Sequence, residues 1–213
     1  MRVLYIDTSS SYLYAGISDE EHLICEVKKE FGHSLSEEAL PEIAKLFTEN
    51  KILPTDIDKI LVVNGPGSFT GIRIGITIAK VYAWSHKIPI TTISALEAMM
   101  LSSNTDKIKV PIINARRGYV FGAAYNQNTQ IIEPKHIKFD ELCEMLNGKE
   151  YIFITNDEFD VELESEKYNP DIFKIINYYK NKTAINPHAV NPEYLKLTEA
   201  EEDLLYSRQM GKA

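Results

Sequence analysis

Two cysteines in 213 residues, Cys25 and Cys143, cannot build a disulfide framework, and neither sits in a Cys-x-x-Cys pair. The five histidines, His22, His33, His86, His136 and His188, are scattered without a His-x-x-x-His pair, so no metal ligands are expected. Basic charge is short as well: 23 Lys and Arg stand against 31 Asp and Glu, a net charge of −8. A field of that sign argues against phosphate-backbone binding by the bulk of the chain and leaves most of any nucleic-acid contact to a basic partner. No apolar run approaches the ~18–20 residues that span a bilayer. The opening run Val3–Ile6 is too short for a secretory signal, and a cytoplasmic protein without membrane contact is the expectation.

The composition is that of an ordinary globular chain, 44% hydrophobic and 25% charged, sized for one large domain or two small ones. The two halves resemble each other. Shifted by 107 positions, Val3–Gly16 falls without a gap on Val110–Ala123, matching Val3 with Val110, Ile6 with Ile113 and Tyr12 with Tyr119, and setting Asp7 against its isostere Asn114. Each segment reads as an apolar strand, a small turn and an aromatic second strand. A duplication follows, with lobes 1–104 and 105–213 divided at the polar run Ser102–Asp106.

Helix and strand signals alternate after the first hairpin. Ser34-Leu35-Ser36-Glu37 reads as a capping box, and Leu40, Ile43, Ala44, Leu46 and Phe47 follow at helical spacing. Pro41 favours a helix that begins near Leu40, which would keep the proline in the first turn. A strand over 59–64 runs into a glycine-rich loop, Gly65–Gly71, and then a helix marked by Ile72, Ile76, Ala79 and Ala83 up to about His86. A short strand over 89–93 and a helix around 96–100 complete the first half. The run 157–166 holds six carboxylates and reads as a solvated loop; residues 199–205 read as a short acidic helix.

Strand, glycine loop and helix together present backbone amides to an anion. However, Gly65, Gly67 and Gly71 match neither the Walker lysine motif nor the dinucleotide fingerprint, so Ser68, Thr70 and the three glycines fit plain turn geometry at least as well. Asp7-Thr8-Ser9 offers a carboxylate and hydroxyls for a magnesium-bound phosphate, or an Asx turn that closes a hairpin. Asn114 at the repeated position can neither act as a base nor share a metal's charge. Arg116-Arg117 makes a small basic turn, suited to a surface or partner contact. Neither cysteine has a neighbour that would activate it, and Ser68 and Thr70 lack a readable base, so no catalytic residue is expected.

Gly65-Pro66-Gly67-Ser68-Phe69-Thr70-Gly71-Ile72-Arg73 closely resembles the TsaB (YeaZ) family of tRNA threonylcarbamoyladenosine (t6A) biosynthesis subunits. Ile6-Asp7-Thr8-Ser9, Ser94-Ala95-Leu96-Glu97-Ala98, Ala115-Arg116-Arg117-Gly118 and Pro192-x-Tyr194-Leu195-Lys196 extend the resemblance. Asn114 and Tyr119 depart from the acidic positions of the family's second hairpin, and two extra residues separate His33 from Pro41. The resemblance implies an α/β, actin-like, sugar kinase/Hsp70-type fold of two duplicated lobes. It also implies a non-catalytic subunit that supports a metal-bearing catalytic paralogue, TsaD, together with the ATPase TsaE, and that reaches tRNA through the complex. ATP, ADP and metal would then sit on the partners. Contact with TsaD, or with a second copy of the chain, would run through two first-lobe helices, implicating Leu40, Ile43, Leu46, Phe47, Ile72, Arg73, Ile76, Lys80 and Ala83. A stand-alone phosphotransferase of this fold would need an adenosine-binding glycine pair in the second lobe, where only Gly148 lies between Ala123 and Met210. A peptidase of this fold is the other alternative.

Overall fold

The computed structural model describes residues 1–196, so the acidic helix expected over 199–205 lies outside the described residues. The first sheet comprises β1 (Val3–Asp7), β2 (Tyr12–Ser18), β3 (Leu23–Glu30), β4 (Lys59–Gly65) and β5 (Ile90–Ser94) in the order β3-β2-β1-β4-β5. β1 and β4 pair in parallel, as do β4 and β5, while β1-β2 and β2-β3 are antiparallel. The second sheet uses β6 (Ile108–Asn114), β7 (Tyr119–Asn126), β8 (Thr129–Lys138), β9 (Tyr151–Ile154) and the two-residue β10 (Ser165–Glu166) in the order β10-β9-β6-β7-β8. Read from the other edge, this is the same order with the same strand directions.

Helices cover both sheets. α1 (Leu35–Glu49) and α2 (Phe69–His86) lie on one face of the first sheet, sharing a core with Leu4, Ile6, Ile60 and Val62. α3 (Ala95–Ser102) and α5 (Ile172–Tyr179) take the opposite face, against Val3, Tyr5, Leu61 and Val63. With both faces buried, β1 and β4 read as unbroken apolar runs. α4 (Phe139–Met145) covers the outer face of the second sheet. In the repeat α4 corresponds to α1 and α5 to α3. The counterpart of α2 is missing, and the acidic run 157–166 spans the gap.

Three expectations are corrected. α1 starts at Leu35 rather than near Leu40, which leaves Pro41 inside it. Apolar burial of Leu35, Ala39, Ile43, Leu46 and Phe47 outweighs the hydrogen bond lost at the proline. The capping box does not form: the Ser34 hydroxyl donates instead to the Phe31 carbonyl at 3.0 Å, closing a 3₁₀ turn ahead of the helix. The gapless repeat also slips beyond the first strands. Asp7 faces Tyr14 across its hairpin but Asn114 faces Val120, because Arg116, Arg117 and Gly118 all take left-handed conformations and turn the chain one residue sooner.

Beyond α5 the chain returns to the first lobe. Ile185 bridges to Ile90, Val190 enters the first core, and the Glu193 amide donates to the Asn64 carbonyl at 2.7 Å.

Candidate functional site

A cleft of about 630 Å³ opens between the lobes at the ends of β1 and β6. Asp7, Ser9, Ser68 and Phe69 form one wall, Ile112, Asn114, Arg116 and Phe121 the other, and Asp157 and Tyr168 line it further. The repeat places equivalent turns opposite each other. The Ser9 amide donates to Asp7 Oδ1 at 2.8 Å, and 107 residues on the Arg116 amide donates to Asn114 Oδ1 at the same distance. Both are Asx turns.

Asp7 is buried, and its oxygens are engaged by its own chain. Oδ1 also accepts from the Ser9 hydroxyl at 2.7 Å, and Oδ2 from the Tyr5 hydroxyl at 3.4 Å. Burial pushes the carboxyl up from its ordinary range, while the Ser9 donors and then the Tyr5 hydroxyl draw it partly back. Tyr168, edge-on to Tyr14 at 5.4 Å, brings a buried hydroxyl to this cluster, and burial holds its phenol well above the usual value. Asp157, hidden by sequence in the acidic run, accepts the Asn114 amide at 2.7 Å, and desolvation raises its carboxyl too. The charged groups lining the cleft are Asp7, Glu30, Asp157 and Arg116, a surplus of carboxylates. No group of three or more metal-ligating side chains occurs among the described residues.

The glycine loop packs against the first hairpin. The Ser68 amide donates to the Ser9 carbonyl and the Thr8 hydroxyl to the Gly71 carbonyl, each at 2.7 Å, and the Ser68 hydroxyl caps α2 by accepting from the Gly71 amide. A Cβ at Gly67 would stand 2.2 Å from the Ser9 carbonyl oxygen, and one at Gly71 would stand 2.1 Å from that of Thr8. Close approach between two backbones therefore accounts for both glycines. Thr70 is exposed at the first turn of α2, and Gly65 packs on the returning chain at Glu193.

The helix residues named from sequence divide into three sets. Ile43, Leu46, Phe47, Ile72, Ile76 and Ala83 are buried in the first lobe's own core. Leu40 is 59% exposed. Arg73 and Lys80 are tied within the chain. Arg73 stacks over Phe69 at 3.9 Å and donates to the Tyr194 hydroxyl at 2.9 Å, while Lys80 donates to the Val190 carbonyl at 2.9 Å. The outward side chains that sequence reading passed over are Val81 and Trp84, 62% and 66% exposed, on the α2 stripe that also carries the exposed Thr77. Leu53, just beyond α1, is 62% exposed. Trp84 is the chain's single tryptophan, and a large aromatic one position beyond the buried Ala83 was the available signal.

Two copies of one three-strand-meander and parallel-extension unit, facing across a cleft at their hairpin turns, define an actin-like, sugar kinase/Hsp70-type fold. The family model described as TsaD, tRNA N6-adenosine threonylcarbamoyltransferase, matches residues 29–201. The tRNA threonylcarbamoyladenosine biosynthesis protein TsaB of Bacillus subtilis is 31% identical over 98% of this chain and 100% of its own length. Its namesake from Buchnera aphidicola of Schizaphis graminum is 33% identical over 61% of this chain and 63% of its own. Among solved structures, YeaZ from Pseudomonas aeruginosa superposes with a TM-score of 0.76 at 16% identity, covering 91% of this chain and 99% of that one. The chain belongs to the TsaB (YeaZ) family.

Proposed function

We propose that this chain is a non-catalytic, cytoplasmic subunit of the machinery that makes tRNA threonylcarbamoyladenosine, holding a TsaD-like catalytic paralogue through the outer faces of α1 and α2. Its relatives carry the name of that biosynthesis. The observation that carries the reading is a division of labour inside the first lobe: large apolar side chains (Leu40, Val81, Trp84) stand in solvent on the two helices, while Asp7, Ser9 and Ser68 on its cleft wall are tied to one another. Exposed aromatics among polar neighbours are the usual anchors of an interface. The same face would serve a second copy of the chain when the paralogue is absent. ATP, ADP and metal belong on the TsaD-like and TsaE-like subunits in this account, because phosphates entering this cleft would meet mostly carboxylates. Among the described residues, no helix is long and apolar enough to cross a membrane.

Capture of the purified TsaD-like partner tests the reading. Val81→Glu with Trp84→Glu is expected to lower the affinity by at least roughly 30-fold, corresponding to about 2 kcal/mol lost at a hot spot, with thermal stability unchanged. Undiminished capture by the folded double variant would overturn it.

A further inference from the structure

The turn between β6 and β7 carries two adjacent arginines. Arg116 and Arg117 are exposed and hold φ of 65° and 53°, a region that residues other than glycine, asparagine and aspartate occupy at a cost. Neither guanidinium has a hydrogen bond or ion pair among the described residues, nor has the exposed Lys138 ammonium, which lies opposite Tyr119 in the register. On the same face of the sheet, Tyr119, His136 and Phe121 form a partly exposed ladder. The Tyr119 and His136 rings stack at 4.8 Å and 9°, and Phe121 follows at 5.3 Å from His136. Arg116 and Phe121 both line the mouth of the cleft. Asp157 and Glu158 beyond Asn114, and Asp140 at the start of α4, bound the cluster.

Three cations without partners among the described residues, beside an aromatic ladder whose end rings are Tyr119 and Phe121, make a local exception on a chain of net charge −8. Stacking surfaces next to phosphate-binding cations are what an unpaired nucleic-acid strand requires, and a duplex, with its bases covered, cannot use the rings. We propose that this turn and ladder form a contact surface for a single-stranded segment of RNA, with Arg116, Arg117 and Lys138 on phosphates and the Tyr119 ring, at the end of the ladder, on a splayed base. The proposal rests on the reading of the chain as part of an RNA-modifying assembly and assigns it a direct RNA contact of its own.

The test measures fluorescence anisotropy of a labelled single-stranded RNA oligonucleotide with the full-length chain across a salt series. The same RNA annealed to its complement and polyglutamate as a competitor form the other arms. The single strand is expected to bind more tightly than the duplex. Arg116→Ala with Arg117→Ala should weaken binding about tenfold and flatten the log–log salt dependence by about 1.4, two phosphate contacts at roughly 0.7 each. Tyr119→Ala should weaken binding about tenfold with the slope unchanged. Tyr119→Leu keeps cross-strand packing without a stacking face and should behave the same way, and Tyr119→Phe should restore binding. No binding by the wild-type chain at low salt would overturn the proposal, as would wild-type affinity in the folded variants. Displacement by polyglutamate with Tyr119→Leu silent would also overturn it, since the site would then recognise charge alone. Capture of the TsaD-like partner, measured on the same variants, should be unchanged. Its loss in Val81→Glu/Trp84→Glu bears on the helix reading, and loss of RNA binding in the arginine variants on this one.

Discussion

Burial holds the Asp7 carboxyl above its ordinary value even though two Ser9 donors and the Tyr5 hydroxyl favour the anion. The folded chain therefore binds a proton more readily than the unfolded chain, and stability falls as pH rises from the unfolded value, about 3.9, through the folded one. Asp7→Asn keeps the Asx turn that Asn114 already makes in the second lobe and removes the buried charge. We expect its melting temperature to exceed wild type at pH 7, with the gap closing as pH falls through the raised folded value and gone below about pH 4, where the wild-type carboxyl is protonated in both states. A wild-type advantage at neutral pH would show that the anion is stabilised by something beyond Ser9 and Tyr5. Gly67→Ala is expected to cost about 3 kcal/mol in urea unfolding, because its Cβ meets the Ser9 carbonyl oxygen. The Asp7 turn and these glycines were legible as turn chemistry. Asp157 was not, because nothing in a run of six carboxylates marks the one that reaches the backbone of another strand.

At the scale of the element, α1 tolerates an interior proline whose position leaves the Glu37 carbonyl without its helical donor. Pro41 is exposed, so Pro41→Ala should restore a bond without disturbing the core and raise stability by about 1 kcal/mol or more, read as a shift of the urea midpoint. The two hairpins, the strands β4 and β5, the glycine loop and α2 could be read from sequence because their signals are local: apolar runs, glycine spacing, helical period; β3, β8, β9, β10, α4 and α5 were not read. Which side of α2 faces out was blurred, since Ile74, Ile78 and Val81 extend the apolar face beyond the buried Ile72, Ile76, Ala79 and Ala83 and crowd the polar stripe of Arg73, Thr77 and Lys80. The resemblance implicated Ile43 and Ile76 as partner contacts, although the sheet beneath already takes both. A charge at either would injure the fold itself. On the proposed reading, the exposed Leu40, Val81 and Trp84 are the positions at which association can be perturbed alone.

Across the whole molecule, the duplication is symmetric in its sheets and asymmetric in its helices. The 107-residue offset disclosed the first property through matched apolar positions. The second, the missing counterpart of α2, shows only once the chain between β9 and β10 is traced. The lobes are joined by more than the cleft. Buried Lys59 on β4 donates to the carbonyls of Tyr179, Lys180 and Lys182 at 3.4, 3.1 and 3.0 Å, satisfying the end of α5. Lys59→Met should leave these oxygens unpaired and cost about 1–3 kcal/mol in urea unfolding. The central proposal is that the chain holds its catalytic partner through its first-lobe helices, with the Asp7 wall of the cleft playing no catalytic part. Modification of tRNA by the reconstituted TsaD-like, TsaE-like and carbamoyl-adenylate-forming components, assayed with each variant of this chain, tests that most directly. Asp7→Asn is predicted to support wild-type modification and Val81→Glu/Trp84→Glu to abolish it with the fold intact. Loss of modification in Asp7→Asn while the partner is still captured, or full activity in the helix variant, would contradict the account.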